Sequence, residues 1–157
     1  MFDLDIQSRI LYWKNFREKL STQPLEQRLW NINNFYWKAP ISNQYYSQTD
    51  PVDKYPGPWQ LVIDNFYDDL ARALGMLYTI TLCKKDYQTV VLGLYRDKLG
   101  SGDYNLVLVD SGKYVLNYDL ELRVNNTYLL DDLVLVAMYD SKDLLEQTAN
   151  EYTNSSY

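Results

Sequence analysis

Apolar residues recur at helical spacing from the start of the chain. Ile6, Ile10, Trp13, Phe16 and Leu20 predict an amphipathic helix within residues 1–20. Asp3 and Asp5 sit near its start, where the helix dipole favours anions. Ser21-Thr22-Gln23-Pro24 ends it, and Pro24 opens a second short helix through Leu25, Leu29 and Trp30. Residues 31–58 lose the pattern. They are rich in Asn, Gln, Ser, Pro and aromatics and poor in aliphatics, which predicts an ordered arm or long loop.

Pro56-Gly57-Pro58 then punctuates the chain. Trp59 to Ile63 starts a helical turn, and Asp64 is an N-cap or a break. Phe66, Leu70, Leu74 and Leu77 share one face of a core helix over about 64–82. Gly75 in its interior implies a close approach of another part of the chain. From about Tyr87 the period becomes two. Strands are predicted at Val90–Tyr95, Tyr104–Val109 and Lys113–Tyr118, with a hairpin turn at Asp110-Ser111-Gly112. Leu120–Val124 continues the last of these or forms another strand. Leu133–Tyr139 is apolar throughout and reads as a central strand, and Ser141 caps a short final helix. The prediction is therefore an α+β fold: an N-terminal helix and aromatic arm, then one core helix on a mostly antiparallel sheet of four to five strands, then a short C-terminal helix. The expected division is a helical and aromatic segment at 1–57, a core domain at 58–151 and a polar tail at 152–157.

Charge refines this picture only slightly. Residues 1–60 hold seven Lys/Arg against six Asp/Glu, and residues 61–157 hold eight against fifteen. The acidic C-terminal portion disfavours non-specific binding to nucleic acid, because phosphates are repelled. No apolar run approaches the ~20 residues of a membrane-spanning helix. The N-terminus also lacks a signal-peptide pattern, so a soluble, intracellular product is expected. Sixteen tyrosines, and four tryptophans all within the first 60 residues, suit either a tyrosine-rimmed core or a contact surface. Trp30, Phe35, Tyr36, Trp37, Tyr45, Tyr46, Tyr55 and Trp59 are the candidate partner-binding residues.

The search for catalytic groups is mostly negative. The chain has no histidine, which excludes Ser/His/Asp and Cys/His arrangements and any imidazole metal ligand. Its single cysteine, Cys83, excludes an intrachain disulfide and a cysteine zinc cluster, and reads as a buried structural thiol. Gly100-Ser101-Gly102 is too short for a phosphate loop and reads as a hairpin turn. Asp68/Asp69 and Asp131/Asp132 are adjacent pairs whose side chains diverge. Nothing in the spacing of Asp110, Asp119 and Asp140 requires a metal, and no cofactor is expected.

A helix at 64–82 followed by DYNLVLVDSGKYVLNYDLE resembles the core of the transglutaminase-like, papain-related fold. In that family a Cys heads the core helix, a His opens a following strand, and an Asp or Asn ends the next. Here the resemblance puts Asp68 near the first position, Asp103 or Tyr104 near the second and Asn117 at the third. It implies an inherited fold whose thiol chemistry is gone, with Asp68, Tyr104 and Asn117 as the degenerate site. PxPW…DNxYxDLxRALGMxYTxxL, with the later KYVLNY, is also similar to small proteins of T4-like tailed phages. That resemblance implies a viral origin; the missing catalytic groups, the excess tyrosine and the aromatic arm then favour a non-catalytic structural or assembly component of a phage particle. It would be made in a host cytoplasm and would contact virion proteins or itself. The alternatives are a soluble viral modulator of a host or viral enzyme, and a diverged transglutaminase-like enzyme working without histidine.

Overall fold

A computed structural model describes residues 1–43 and 45–154, with 149–154 described by backbone alone. Helices α1 (Ile6–Leu20) and α2 (Leu25–Trp37) lead, via a one-turn helix at Val52–Lys54, to α3 (Pro58–Asp64) and α4 (Asp69–Thr81). Strands β1 (Val90–Asp97), β2 (Asp103–Val109), β3 (Tyr114–Leu116) and β4 (Arg123–Val124) follow, then a one-turn helix at Thr127–Leu130. The described chain closes with β5 (Leu133–Asp140) and α5 (Ser141–Asn154). The sheet order is β4-β3-β2-β1-β5, and its pairings are antiparallel. The α+β class is as the sequence predicts. The polar tail expected at 152–157 lies in part outside the described residues, since only 152–154 are described, as the end of α5.

The predicted helix over 64–82 divides in two. Asn65 takes a left-handed conformation (φ 56°) and closes α3. The chain then runs extended, with Ser42 N–H donating to the Tyr67 carbonyl at 3.1 Å, until Asp68 caps α4. Gly75 fulfils its expectation, because a Cβ there would collide with the Tyr36 ring. Around that ring, the Tyr36 hydroxyl and Thr79 Oγ1 lie 2.8 Å apart, and Trp13 Nε1 donates to the same Oγ1 at 3.0 Å.

The predicted arm is shorter than residues 31–58, because α2 continues to Trp37. Tertiary packing overrides the weak helix propensity of its asparagines: Leu29, Ile32 and Tyr36 are buried against α4 at helical spacing. The buried Asn33 donates to the carbonyls of Asp119 and Leu120 at 3.0 and 2.9 Å. Trp13 and Leu20 of α1, with Leu29 and Ile32 of α2, join the core formed by α4 and the inner sheet face.

β5 is an edge strand rather than a central one. Leu94 pairs with Ala137 and Tyr95 with Leu135, so Val136 is an extra residue in a bulge. Val134, Leu135, Val136 and Met138 stay exposed beside it. The uniformly apolar run thus reflects a bulged edge, not burial on both faces.

On β2 the two faces separate cleanly. Val107 and Val109 point to α4, whereas Leu106 and Leu108 join Tyr95 and Val115 in a second cluster on the outer face. The predicted hairpin at 110–112 is present, with φ of 52°, 58° and 87° at Asp110, Ser111 and Gly112. β3 ends at Leu116, since Asn117 adopts φ 66° and leaves the ladder. Its N–H donates instead to Asn33 Oδ1 at 2.9 Å.

Candidate functional site

Two consecutive aspartates open α4 and do different things. Asp68 is the N-cap, and its Oδ1 accepts the Ala71 N–H at 2.7 Å. Its Oδ2 accepts the N–H groups of Tyr45 and Tyr46 at 2.8 and 2.6 Å. The buried Asp68 carboxylate therefore clamps the 45–46 segment to the helix start.

Asp69 instead joins a side-chain network. Its Oδ2 accepts from Asn105 Nδ2 at 2.7 Å. Its Oδ1 accepts from Arg72 Nη2 at 2.9 Å and from Asn117 Nδ2 at 3.3 Å. Arg72 Nε donates to Asn117 Oδ1 at 2.8 Å, and the guanidinium carbon lies 3.7 Å from the Trp37 ring centroid. Asn117 Nδ2 also donates to the Asn105 carbonyl at 2.8 Å, and Gln48 Nε2 donates to Asn105 Oδ1 at 3.0 Å. Side chains from α4, β2, the end of β3 and the 38–57 segment are thereby locked together.

Beside this network lies an open cleft of about 490 Å³. Ser42, Tyr46 and Gln48 line one part, Asp68 and Asp69 another, and Asp103, Asn105 and the Gly100–Gly102 turn the rest. The network holds no nucleophile of the family's kind and no imidazole base. Its amides do not titrate, and its one carboxylate is held by two amides and a guanidinium. Cys83 stands past the other end of α4, about 20 Å away by helix rise. It is buried there, near the Arg17 carbonyl, and burial pushes its thiol pKa up.

Of the three expected site residues, Asp68 and Asn117 lie at the head of α4. Tyr104 does not join them. It points to the outer face and stacks on Tyr118 with ring centroids 5.8 Å apart. Strand alternation puts the next residue, Asn105, on the inner face. Asp69, Arg72, Asn105 and Gln48 are the site residues that the sequence reading missed. A signal existed for Asn105, the only polar member of the inner-facing series 105, 107, 109. Asp110, Asp119 and Asp140 are engaged separately: by the Gln88 and Thr89 N–H groups, by Arg123 and by the Lys142 N–H.

The candidate partner-binding aromatics do not form one surface. Tyr36 and Tyr55 are buried. Phe35 packs on Phe16 with centroids 4.3 Å apart, Trp37 lies under Arg72, and Tyr46 packs against the core. Only Trp30, Tyr45 and Trp59 are exposed, and Trp59 still meets Trp13 edge-on at 5.3 Å.

Solved structures of LapG from Legionella pneumophila have the same fold. One superposes with a TM-score of 0.68 at 15% identity, over 92% of this chain and 85% of LapG. The calcium-bound form gives 0.67 at 13% identity, over 87% of this chain and 77% of that one. The EGTA-treated form gives 0.66 at 15%, over 92% and 87%. No family model matches the chain, and no curated protein matches it. LapG has the transglutaminase-like cysteine-protease fold, so the likeness expected over a core of some 60 residues extends through the N-terminal helices. The expected role as a structural or assembly component of a phage particle is corrected by these neighbours, whose fold is that of an enzyme. Among the described residues no helix is long and apolar enough to cross a membrane.

Proposed function

We propose that this chain is a transglutaminase-like protein without thiol catalysis, which uses the cleft at the head of α4 to hold a polypeptide segment rather than to cut it. The observation that carries the reading is the Asp69–Asn105–Asn117 network. Asp69 stands at the head of the core helix, Asn105 on β2 and Asn117 just past the end of β3. The resembled family sets its thiol at the head of the core helix, its imidazole on a later strand and its amide or carboxylate at the end of the next, which supports matching Asp69, Asn105 and Asn117 to them in place of Asp68 and Tyr104. Two of the three types differ from that set, and the replacements bond to one another. A carboxylate locked by donors is a poor nucleophile, and an amide is no general base.

A polypeptide occupant follows from the neighbours, which are built as proteases, and from the openness of the cleft beside the Gly100–Gly102 turn. Calcium, held by one LapG structure, has no part in the proposal. Among the described residues no group of three or more His, Cys, Asp or Glu is placed to hold a metal ion.

The test is incubation of the protein with a proteome-derived peptide library, read by mass spectrometry for new termini. No new termini above a protein-free control are expected. Cleavage that disappears in Asp69→Asn would overturn the reading and make Asp69 a catalytic residue.

A further inference from the structure

Gln48 is polar, only 7% exposed, and lines the cleft. Its amide orientation is fixed by its neighbours. Nε2 faces three acceptors: the carbonyls of Tyr95 and Tyr104 at 3.0 and 3.4 Å, and Asn105 Oδ1 at 3.0 Å. Oε1 is thereby turned away from all three, and it is left buried without a hydrogen-bond partner. An unpartnered buried acceptor is costly to the fold, and a bound donor would recover that cost.

Around it the cleft carries three carboxylates, along with the hydroxyls of Ser42, Tyr46 and Ser101, which donate as well as accept. The Asp69 and Asp103 side chains keep 43% and 42% of their surface exposed beside the cleft. Asp68 adds a third carboxylate, already occupied by N–H groups. The two nearby arginines do not neutralise the cleft in the same way. Arg72 spends its Nε on Asn117 and its Nη2 on Asp69, and stacks on Trp37. Arg96 meets Asp103 at 3.5 Å, with both side chains about half exposed, so the pair is weak and exchangeable. An anion would meet repulsion from these carboxylates, whereas a cation with several N–H groups offers donors to Gln48 Oε1 and to the exposed Asp69 and Asp103.

We infer that the cleft recognises an organic cation, and that its occupant is an arginine or lysine side chain presented by a polypeptide. This rests on the binding role proposed above. The two sources of such a cation are a polypeptide side chain and a free polyamine, and both are tested.

The experiment is an NMR titration of isotope-labelled full-length protein, following the side-chain amides of Gln48 and Asn105. The probes are an N-acetylated Gly-Arg-Gly amide, the same peptide with citrulline, and spermidine. Citrulline keeps the shape of arginine without its charge. The arginine peptide should shift both amides saturably, and the citrulline peptide should bind about tenfold more weakly or less. Asp103→Asn, a partly exposed change, should weaken the arginine peptide about threefold. Equal binding of the arginine and citrulline peptides, or no shift of either amide with any probe, overturns the cation assignment. Spermidine binding well above the arginine peptide would overturn the polypeptide source and leave the cation chemistry standing. Cleavage of the peptide in the same samples would sink the non-catalytic reading separately.

Discussion

The two ends of α4 carry opposite chemistry, and the contrast bears on what the head of the helix can do. The head gathers carboxylates, amides and a guanidinium around Asp69. The far end holds the one thiol of the chain, buried at Cys83. A helix dipole favours anions at its N-terminus and disfavours them at its C-terminus. A thiol at the head would be helped to ionise, whereas Cys83 has the wrong end of the dipole and a desolvated site. At the head the same dipole acts on aspartates, which it serves as caps and as acceptors. The fold is that of LapG, and on the reading proposed above the head of α4 carries an aspartate where a thiol would be helped to ionise.

The largest expected effect tests the head. Asp68→Ala removes a cap and orphans the Tyr45 and Tyr46 N–H groups, so urea unfolding should show a loss of about 3 kcal/mol. A loss below about 1 kcal/mol would mean that Asp68 does not clamp the cleft wall.

The next effect lies along the buried side of α4. Burial raises the Tyr36 and Tyr67 pKa values well above the ordinary phenol value. Below that value both folded and unfolded tyrosines are protonated and pH has no effect through them. Above it the unfolded chain releases protons first, so stability falls as pH rises. Between about pH 10 and 11 the two residues together should remove about 2 kcal/mol. Tyr36→Phe should flatten part of that slope, and an unchanged slope would contradict the burial assignment. The smallest effect belongs to the far end. Cys83→Ala should cost about 1 kcal/mol and leave binding at the cleft unaltered. Altered peptide binding in that variant would join the two ends functionally and break the contrast.

Much of the fold was legible because local signals agreed. Asp110-Ser111-Gly112 carries the positive φ of the hairpin, whereas the caps Asn65 and Asp68 that split the core helix were passed over in favour of Asp64. The errors came from tertiary effects. Asn31, Asn33 and Asn34 argue against helix, yet Ile32 and Tyr36 are paid in burial when α2 continues. β5 looks central until its bulge at Val136 and its place in the sheet order are known. At the site, the family resemblance pointed to Asp68 and Asn117; Asn117 joins the network, whereas the network carboxylate is Asp69, one residue on from the capping Asp68. The choice between Tyr104 and Asn105 depends on strand phase, and a one-residue error moves a side chain to the opposite face. Gln48 had no signal, because only folding brings the 38–57 segment against β2.

The most direct test of the central claim rebuilds the lost chemistry at the head. In a Cys83→Ala background, Asp69→Cys combined with Asn105→His should create a thiolate–imidazolium pair beside Asn117. The thiol introduced at position 69 should then react with iodoacetamide nearly as fast near pH 6 as near pH 8. An ordinary thiol would instead slow about 75-fold over that range. Moving the histidine to Tyr104→His should give only the ordinary behaviour, because that side chain faces the outer cluster. An ordinary pH profile in the Asn105→His variant, or activation by Tyr104→His instead, would contradict the placement of Asp69, Asn105 and Asn117 at the family's catalytic positions.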